Sequence, residues 1–357
     1  MAKARIWIRN GRIWDGERFL MGDVAIAEGT IVALGDVGDF QADYTYDAQG
    51  MTVLPGLVDL HVHLKNVSSD AFGIQPEMAC LPFGVTAAVD GGACQGSAQV
   101  LDYCGVKTAM FVYSGIRDDH AVLDIAERML ERYEDKVIGV KTYCDASSSN
   151  HIRTIQPLRE VVAFAKRHGL KVMVHCNHSP MPMADILDVL RPGDILTHAY
   201  HGGGNSADED GFASLLAAQK RGVIIDSGNA GHVHTDFEVL RRAVEAGALP
   251  DTISTDITRL SAYMRGGLYG LPMCMSFFRK LGVEEAAIFR AVTSAAGEAA
   301  GFPEWGRLTI GGAADVAVLD ESGDGYSLTD AAGHTFTGEH SYRCRLTIAG
   351  GQIVYRC

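Results

Sequence analysis

Six residues that can bind a metal ion follow short apolar runs of this chain. They are His61 and His63 in DLHVHL, Lys141 after VIGV, His175 after KVMV, His198 after DILT and Asp256 after TIST. Each has an ordinary alternative, because a buried histidine can be a hydrogen-bonded core residue and an aspartate can cap the next helix. Two histidines at i and i+2 of a strand point to the same face, so His61 and His63 can reach one cation. Their repetition at the ends of apolar runs indicates one shared site.

Lys141 is the least ordinary of these residues. A lysine that ends an apolar run is costly to bury as an ammonium ion unless it is paired or neutralised. A salt bridge, or a side chain that extends to solvent, is the alternative interpretation. Either way, the sequence marks Lys141 as a buried cation in need of a partner.

The elements that would position these residues alternate along the middle of the chain. The predicted strands are Val53–His61, Val85–Asp90, Lys107–Tyr113, Val137–Lys141, Lys171–His175, Asp194–His198, Gly222–Asp226 and Thr252–Asp256. Amphipathic stretches between them predict helices at Asp124–Tyr133, Leu158–His168, Asp185–Leu190, Gly211–Lys220 and Phe237–Ala246. Alternating strands and helices predict a parallel sheet, and eight repeats favour a closed (β/α)8 TIM barrel, whose chemistry lies at the carboxyl ends of the strands.

Both ends of the chain are predicted to form short strands without the alternating helices of the middle. Short strands are predicted at Ala4–Ile8, Val24–Ala27, Thr30–Leu34, Ala314–Leu319 and Arg343–Val354. With 357 residues the chain is longer than the roughly 250 of a typical barrel. We therefore predict a β-sandwich domain from residues 1–54 and 306–357, and an α/β barrel over residues 55–305.

Composition and charge exclude several classes of function. A net charge of −13 repels phosphate and anionic lipid, so we expect no nucleic-acid or membrane partner. The chain shows neither a signal-peptide pattern nor a membrane-spanning run, which predicts a cytoplasmic protein. Eight dispersed cysteines without a CxxC pair are interpreted as buried thiols.

The two Gly-rich stretches lack the spacing of nucleotide-binding loops. The first, Gly202–Gly204 with Asn205–Asp210, is predicted to be a mobile lid.

These motifs together resemble the amidohydrolase superfamily in its two-metal form. The resemblance rests on PGLVDLHVHL, GVK, KVMVHC, RPGDILTHAYHG, GVIIDSGNAG, PDTISTDI and the C-terminal GRLTIGGAADVAVLD, and it covers nearly the whole chain. The dihydroorotase-like group that contains deacetylases is the most similar branch. The resemblance implies a hydrolase that cleaves an amide or ester acyl bond through a hydroxide shared by two divalent cations.

The resemblance also implies a role for each motif residue. His61, His63 and Asp256 would hold one cation and His175 and His198 the other, while Lys141, carboxylated by carbon dioxide to a carbamate, would bridge the two. Asp256 would also carry the proton between water and the leaving atom. Imidazole and carboxylate ligands favour zinc, although other divalent transition metals fit the same donors.

The substrate is less well defined than the metal site. Candidate contacts follow the later strands, at Asn177, His178, His201, His232, His234, Arg259 and Arg265. Several can be cationic, which favours a small anionic acyl substrate; solvated loop residues are the alternative interpretation. Ring-opening relatives extend the first motif to HxHxR, whereas this chain has Lys65 there, which disfavours dihydroorotase activity. A cyclic-amide hydrolase, a one-metal deaminase, a catalytically silent scaffold and a homo-oligomer remain open.

Overall fold

The computed structural model describes residues 3–64, 72–93, 98, 101, 104–145, 152–230, 233–264 and 269–357. Lys65, Cys94, His232 and Arg265, which the sequence analysis singled out, lie outside the described residues. Within the described ranges, no helix combines the length and the apolar character that a membrane crossing requires.

Strands occupy both ends of the chain and alternate with helices in between. The strands are β1 (Ile6–Trp14), β2 (Phe19–Ala27), β3 (Thr30–Gly35), β4 (Tyr44–Asp47), β5 (Thr52–Pro55), β6 (Leu57–Val62), β7 (Val85–Ala93), β8 (Lys107–Tyr113), β9 (Gly115–Arg117), β10 (His120–Val122), β11 (Val137–Cys144), β12 (Lys171–Cys176), β13 (Ile195–Thr197), β14 (Ile224–Asp226), β15 (Val316–Gly323), β16 (Tyr326–Thr329), β17 (Thr335–Gly338), β18 (Ser341–Ala349) and β19 (Gln352–Arg356). The helices are α1 (Pro76–Cys80), α2 (Asp124–Tyr133), α3 (Gln156–Arg167), α4 (Met183–Val189), α5 (Ala213–Lys220), α6 (Phe237–Ala246), α7 (Arg259–Met264), α8 (Leu271–Lys280), α9 (Glu285–Ala291) and α10 (Ser294–Ala300).

The middle of the chain forms a curled parallel sheet, as predicted. Its strand order is β14-β13-β12-β11-β8-β7-β6, and every pair is parallel. Helices α2 and α6 match their predicted bounds, and α6 begins where Asp236 accepts hydrogen bonds from the Glu238 and Val239 amides. It ends at Gly247, whose positive φ of 71° favours glycine.

Two of the eight strands predicted for the barrel differ from the structure in their pairing. The predicted strand Val53–His61 is two strands in different sheets: β5 pairs with β1 and β15, and β6 belongs to the parallel sheet. The predicted strand Thr252–Asp256 makes only isolated parallel bridges, Asp226 with Thr252 and Val62 with Ile257, which connect this segment to both edges of the parallel sheet. Side-chain hydrogen bonds, described below, hold the segment instead of a continuous ladder.

The two ends of the chain meet in one mixed sheet. Its strand order is β19-β18-β15-β5-β1-β2-β3, with β4 paired to β1. The antiparallel pair of β15 and β5 joins the C-terminal to the N-terminal strands. Predicted segment Arg343–Val354 is a hairpin of β18 and β19, because the turn at Gly350 and Gly351 has positive φ angles of 54° and 80°. One apolar cluster lies within this sheet, whereas Leu54, Ala317 and Leu319 of its strands belong to the core of the parallel sheet.

A further apolar core links the parallel strands to α10. Phe111 on β8 is fully buried there, and it packs so closely on β11 that a Cβ added at Gly139 would lie 2.4 Å from its ring. Ala296 of α10 and Trp305 belong to the same cluster. Phe111 thus packs within the sheet that orients the strand ends.

We expect Phe111→Ala to lower the free energy of unfolding by about 3–5 kcal/mol, because it leaves a cavity in a close-packed core. Urea unfolding followed by circular dichroism measures the change. Met21→Ala is the matched control, since that side chain is 66% exposed and its loss should change stability by less than about 0.5 kcal/mol. Equal stabilities for the two variants would contradict this description of the core.

Candidate metal centre

The carboxyl edge of the parallel sheet gathers the residues that the sequence singled out. His61, Lys141 and His175 lie in the carboxyl-terminal halves of β6, β11 and β12, and His198 follows β13 directly. Asp256 lies in the bridging segment, where its amide donates to the His61 carbonyl at 2.7 Å. Because parallel strands present their carboxyl ends at one edge, residues about 200 positions apart in sequence become neighbours.

His61, His63 and Asp256 form the first of two candidate metal clusters. Asp256 Oδ1 lies 2.9 Å from His63 Nε2 and 3.4 Å from His61 Nε2. His61 is fully buried, whereas His63 lies closer to solvent and packs its ring against Phe72, with centroids 4.8 Å apart.

His175, His198 and His234 form the second cluster. The ring centroids of His175 and His198 lie 4.6 Å apart, and His234 lies 4.3 Å from His198 and 4.8 Å from His175. Asp256 Oδ2 is 3.7 Å from His198 Nε2 and 3.8 Å from His234 Nε2. The Asp256 carboxylate therefore lies between the two clusters.

Hydrogen bonds behind the rings determine where each imidazole lone pair points. Thr197 Oγ1 donates to Asp226 Oδ2 at 2.8 Å, so it can only accept from His61 Nδ1 at 3.2 Å, which leaves the Nε2 lone pair directed at the site. His198 Nδ1 donates to the Gly228 carbonyl at 2.7 Å, which likewise frees Nε2. His175 Nε2 contacts Asp145 Oδ2 at 3.2 Å and leaves Nδ1 for a ligand. Such partners orient metal-binding histidines in general.

Lys141 lies between the clusters and is 1% exposed. Its Nζ contacts His61 Nε2 at 3.0 Å, and no salt bridge to a carboxylate is seen for it within the described ranges. Burial lowers the pKa of the Lys141 amine to about 8, although Asp256, Asp226 and Asp90 oppose the shift. The lysine is thus buried as expected, beside an imidazole lone pair.

Burial also keeps the imidazoles neutral. It lowers the pKa of His61 to about 4 and that of His198 well below the ordinary value, in both cases with the added repulsion of Lys141. For Asp256 burial acts in the opposite direction, but His61 and His63 outweigh it and hold the carboxyl pKa well below its usual range. Neutral imidazoles and a carboxylate are the protonation states that bind a cation.

The residues fit a bound metal by a direct test. His198 Nε2 and Asp256 Oδ1 are buried without a hydrogen-bond partner, a costly state that cations bound at the two clusters would relieve. Both residues also have left-handed backbone angles, φ 68° for His198 and 48° for Asp256, which non-glycine residues adopt at a cost and mainly at functional sites. Gly228 leaves room for the His198 ring, since a Cβ at that position would lie 2.5 Å from His198 Nδ1.

The predicted substrate contacts fall into three groups. Asn177 and His201 are buried near the second cluster, and Asn177 Nδ2 donates to His234 Nδ1 at 2.7 Å. His178 and Arg259 are exposed, although the His178 ring stacks on His201 with centroids 5.7 Å apart. His232 and Arg265 lie outside the described residues.

Sequence reasoning named His234 as a candidate substrate contact, not as a member of a metal cluster, and did not single out Asp145 or Asp226. The structure brings His234 into the second cluster and places the two carboxylates behind His61 and His175. Asp226 ends a predicted strand in the same way as the motif residues, and that position was the available signal. The position of His234 depends on the conformation of its loop, and no local sequence pattern indicates that conformation.

The predicted lid is a run of turns over residues 203–212 in the structure. Asn205 Nδ2 donates to the Ser179 carbonyl at 2.8 Å, which connects this loop to the one after β12. The mobility of the loop stays a prediction.

Comparisons with known proteins agree with this architecture. No protein-family model matches the chain. The chain is 26% identical to a deacetylase of Brucella anthropi over 92% of its own length and 86% of that protein. Its fold matches the crystal structure of a dihydroorotase, with a TM-score of 0.88, 24% identity and coverage of 99% of this chain and 98% of that chain. It also matches the crystal structure of an adenine deaminase, with a TM-score of 0.85, 24% identity and 99% coverage of both chains.

The two solved structures establish the fold, and the likeness to the deacetylase extends over most of the sequence as well. Together, the sequence likeness to the deacetylase and the fold likeness to the two solved structures indicate the amidohydrolase superfamily, in its dihydroorotase-like group.

Proposed function

We propose that the protein is a deacetylase-like, metal-dependent hydrolase that cleaves the amide or ester acyl bond of a small, anionic substrate. The convergence of two imidazole clusters on the Asp256 carboxylate at one sheet edge carries this proposal. The deacetylase of Brucella anthropi, similar over 92% of this chain, supports the choice of acyl hydrolysis among the reactions of the superfamily.

The proposed framework is a closed (β/α)8 barrel over residues 55–305 with a β-sandwich formed by residues 1–54 and 306–357. The bridges that connect segment 252–257 to β6 and β14 support closure, with that segment in the eighth strand position. The pairing of β15 with β5 supports a terminal domain built from both ends.

The two clusters would hold two divalent cations, and their imidazole and carboxylate donors favour zinc. His61, His63 and Asp256 would bind one cation, and His175 and His198 the other. When bound, such ions polarise a carbonyl group and make water a stronger acid. The orphaned atoms of His198 and Asp256 support this assignment, because they would otherwise remain buried without a partner.

Lys141 would join the two clusters as a carbamate formed with carbon dioxide. Its Nζ lies beside the His61 lone pair and far from bulk water, so an ammonium ion there is poorly solvated. Carboxylation replaces this cation with an anionic oxygen donor, which suits a site lined by imidazoles. The burial of Lys141 without a salt bridge among the described residues supports this role.

Asp256 would carry the proton in the reaction. The carboxylate faces both clusters, so it can accept a proton from the attacking water and deliver it to the leaving nitrogen or oxygen. Its low pKa keeps it ionised before the reaction starts. No protein nucleophile is needed for hydrolysis by this route.

The proposed substrate contacts are Asn177, His178, His201, His232, Arg259 and Arg265. A small-molecule substrate with a negative charge would match the donors among them. A cyclic-amide hydrolase, similar to dihydroorotase or hydantoinase, is the alternative, and a silent scaffold is the alternative outside enzymes. A test of substrates and metals separates the three.

We expect the purified protein to contain up to about two transition-metal ions per chain by elemental analysis and to hydrolyse an N-acyl amino acid or an acylated hydroxy acid. Chelation should abolish turnover, and added zinc should restore it. Turnover of dihydroorotate or hydantoins alone would favour the cyclic-amide alternative, and a metal-free, inactive protein would favour the scaffold.

We expect Asp256→Asn to lower kcat by about 10²–10⁴-fold, because the amide cannot accept the proton. Asp188→Asn is the matched control, since its side chain is 77% exposed on α4. Circular dichroism should show that both variants keep their fold. Full activity of Asp256→Asn would overturn the proton-transfer role.

We expect Lys141→Ala to be inactive as purified and to regain part of its activity with millimolar formate or acetate, since a short carboxylate can take the place of the carbamate. Lys220→Ala, which removes an exposed lysine at the end of α5, should match the unmodified protein. Full activity of Lys141→Ala without added carboxylate would refute the bridging role.

A further inference from the structure

His234 is an imidazole at the centre of the site for which the proposed metal set has no use. That set is already complete with His61, His63, Lys141, His175, His198 and Asp256. Yet His234 Nε2 lies 3.8 Å from Asp256 Oδ2, and its ring lies beside His175 and His198. Its side chain is 16% exposed, so solvent has partial access to the ring.

The partner of His234 differs in kind from the partners of the other rings. His198 Nδ1 donates to a carbonyl and His61 Nδ1 to a hydroxyl that has already donated its own proton, so each has its lone pair on Nε2. His234 Nδ1 instead accepts from Asn177 Nδ2 at 2.7 Å. An imidazole that accepts at Nδ1 carries its proton on Nε2, so Nε2 is a donor and not a ligand.

Asn177 is a buried residue at the end of a strand. It is 5% exposed, it follows β12 immediately after Cys176, and its side-chain Nδ2 reaches across to the loop that carries His234. The rigid strand end thus positions a ring on a loop. The direction of Nε2 toward Asp256 follows from this contact.

We propose that His234 is a catalytic residue that donates a hydrogen bond from Nε2 to the carbonyl oxygen of the substrate, and that Asn177 is a positioning residue that fixes its tautomer. This inference rests on the proposed acyl hydrolysis, in which negative charge develops on that oxygen. A preorganised neutral donor beside the reacting group stabilises such charge.

The test compares His234→Ala, His234→Gln and the control His340→Ala in zinc-loaded protein. His340 is exposed on the terminal sheet side of the chain, so its loss should change nothing. His234→Ala should lower kcat by about 10²–10³-fold, the usual cost of one oxyanion donor, with little change in KM. His234→Gln, which keeps an N–H donor, should recover part of that loss.

Metal content separates a hydrogen-bond donor from a ligand. Elemental analysis should find the same number of zinc ions per chain in His234→Ala, His234→Gln and the unmodified protein. Loss of one zinc ion in both variants would overturn the proposal and make His234 a third ligand of the second cluster. An unchanged kcat, or a rise in KM alone, would also overturn it.

Nuclear magnetic resonance tests the tautomer without any turnover. In protein labelled with ¹⁵N-histidine, the ring signals that disappear in His234→Gln belong to His234. We expect a protonated Nε2 and an unprotonated Nδ1, and the opposite tautomer would contradict the proposal. If the unmodified protein hydrolyses no acyl substrate, the proposed function fails, while metal content and tautomer still decide the state of His234.

Discussion

This molecule depends on one constraint: many polar side chains of the site are buried, and some of their atoms have no protein partner. Five histidines, a lysine and an aspartate come together at one sheet edge, and most of them are almost fully buried. Desolvation of such groups is costly unless they gain partners. The structure supplies partners behind the rings and leaves ligand atoms of His198 and Asp256 without any. The atoms that lack a protein partner are therefore the ones that could bind a cation.

The segment that carries Asp256 shows how this arrangement is maintained without a regular strand. Two buried carboxylates hold it from both sides. Asp226 accepts from the hydroxyl groups of Thr252 and Ser254, at 2.8 and 2.7 Å, and Asp59 accepts from the amide and hydroxyl of Thr255. Because side chains fix the segment, its backbone is free to adopt the left-handed conformation of Asp256. The same Asp226 orients His61 through Thr197, so one carboxylate supports two residues of the site.

The likeness to other proteins has a physical counterpart in this arrangement. The dihydroorotase and adenine deaminase structures share the fold over nearly their whole length, yet the two enzymes have different names and activities. One fold can therefore accompany different activities, because loops at the ends of the strands determine the substrate. In this chain His234, a loop residue, belongs to the second cluster, and Asn177 and His201 lie beside that cluster.

Much of the fold and the site could be predicted from the sequence alone, for reasons of periodicity and position. Alternating apolar runs and amphipathic stretches predicted the parallel sheet and the bounds of α2 and α6, because those patterns follow local geometry. Residues at the ends of the runs were predicted to meet, because parallel strands share an edge. The tertiary structure decided what depends on contacts between distant segments: the division of Val53–His61 between two sheets at Gly56, the side-chain support of segment 252–257, and the position of His234. A loop ring has no periodicity to reveal it, since only its packing against Asn177 and two other imidazoles determines where it points.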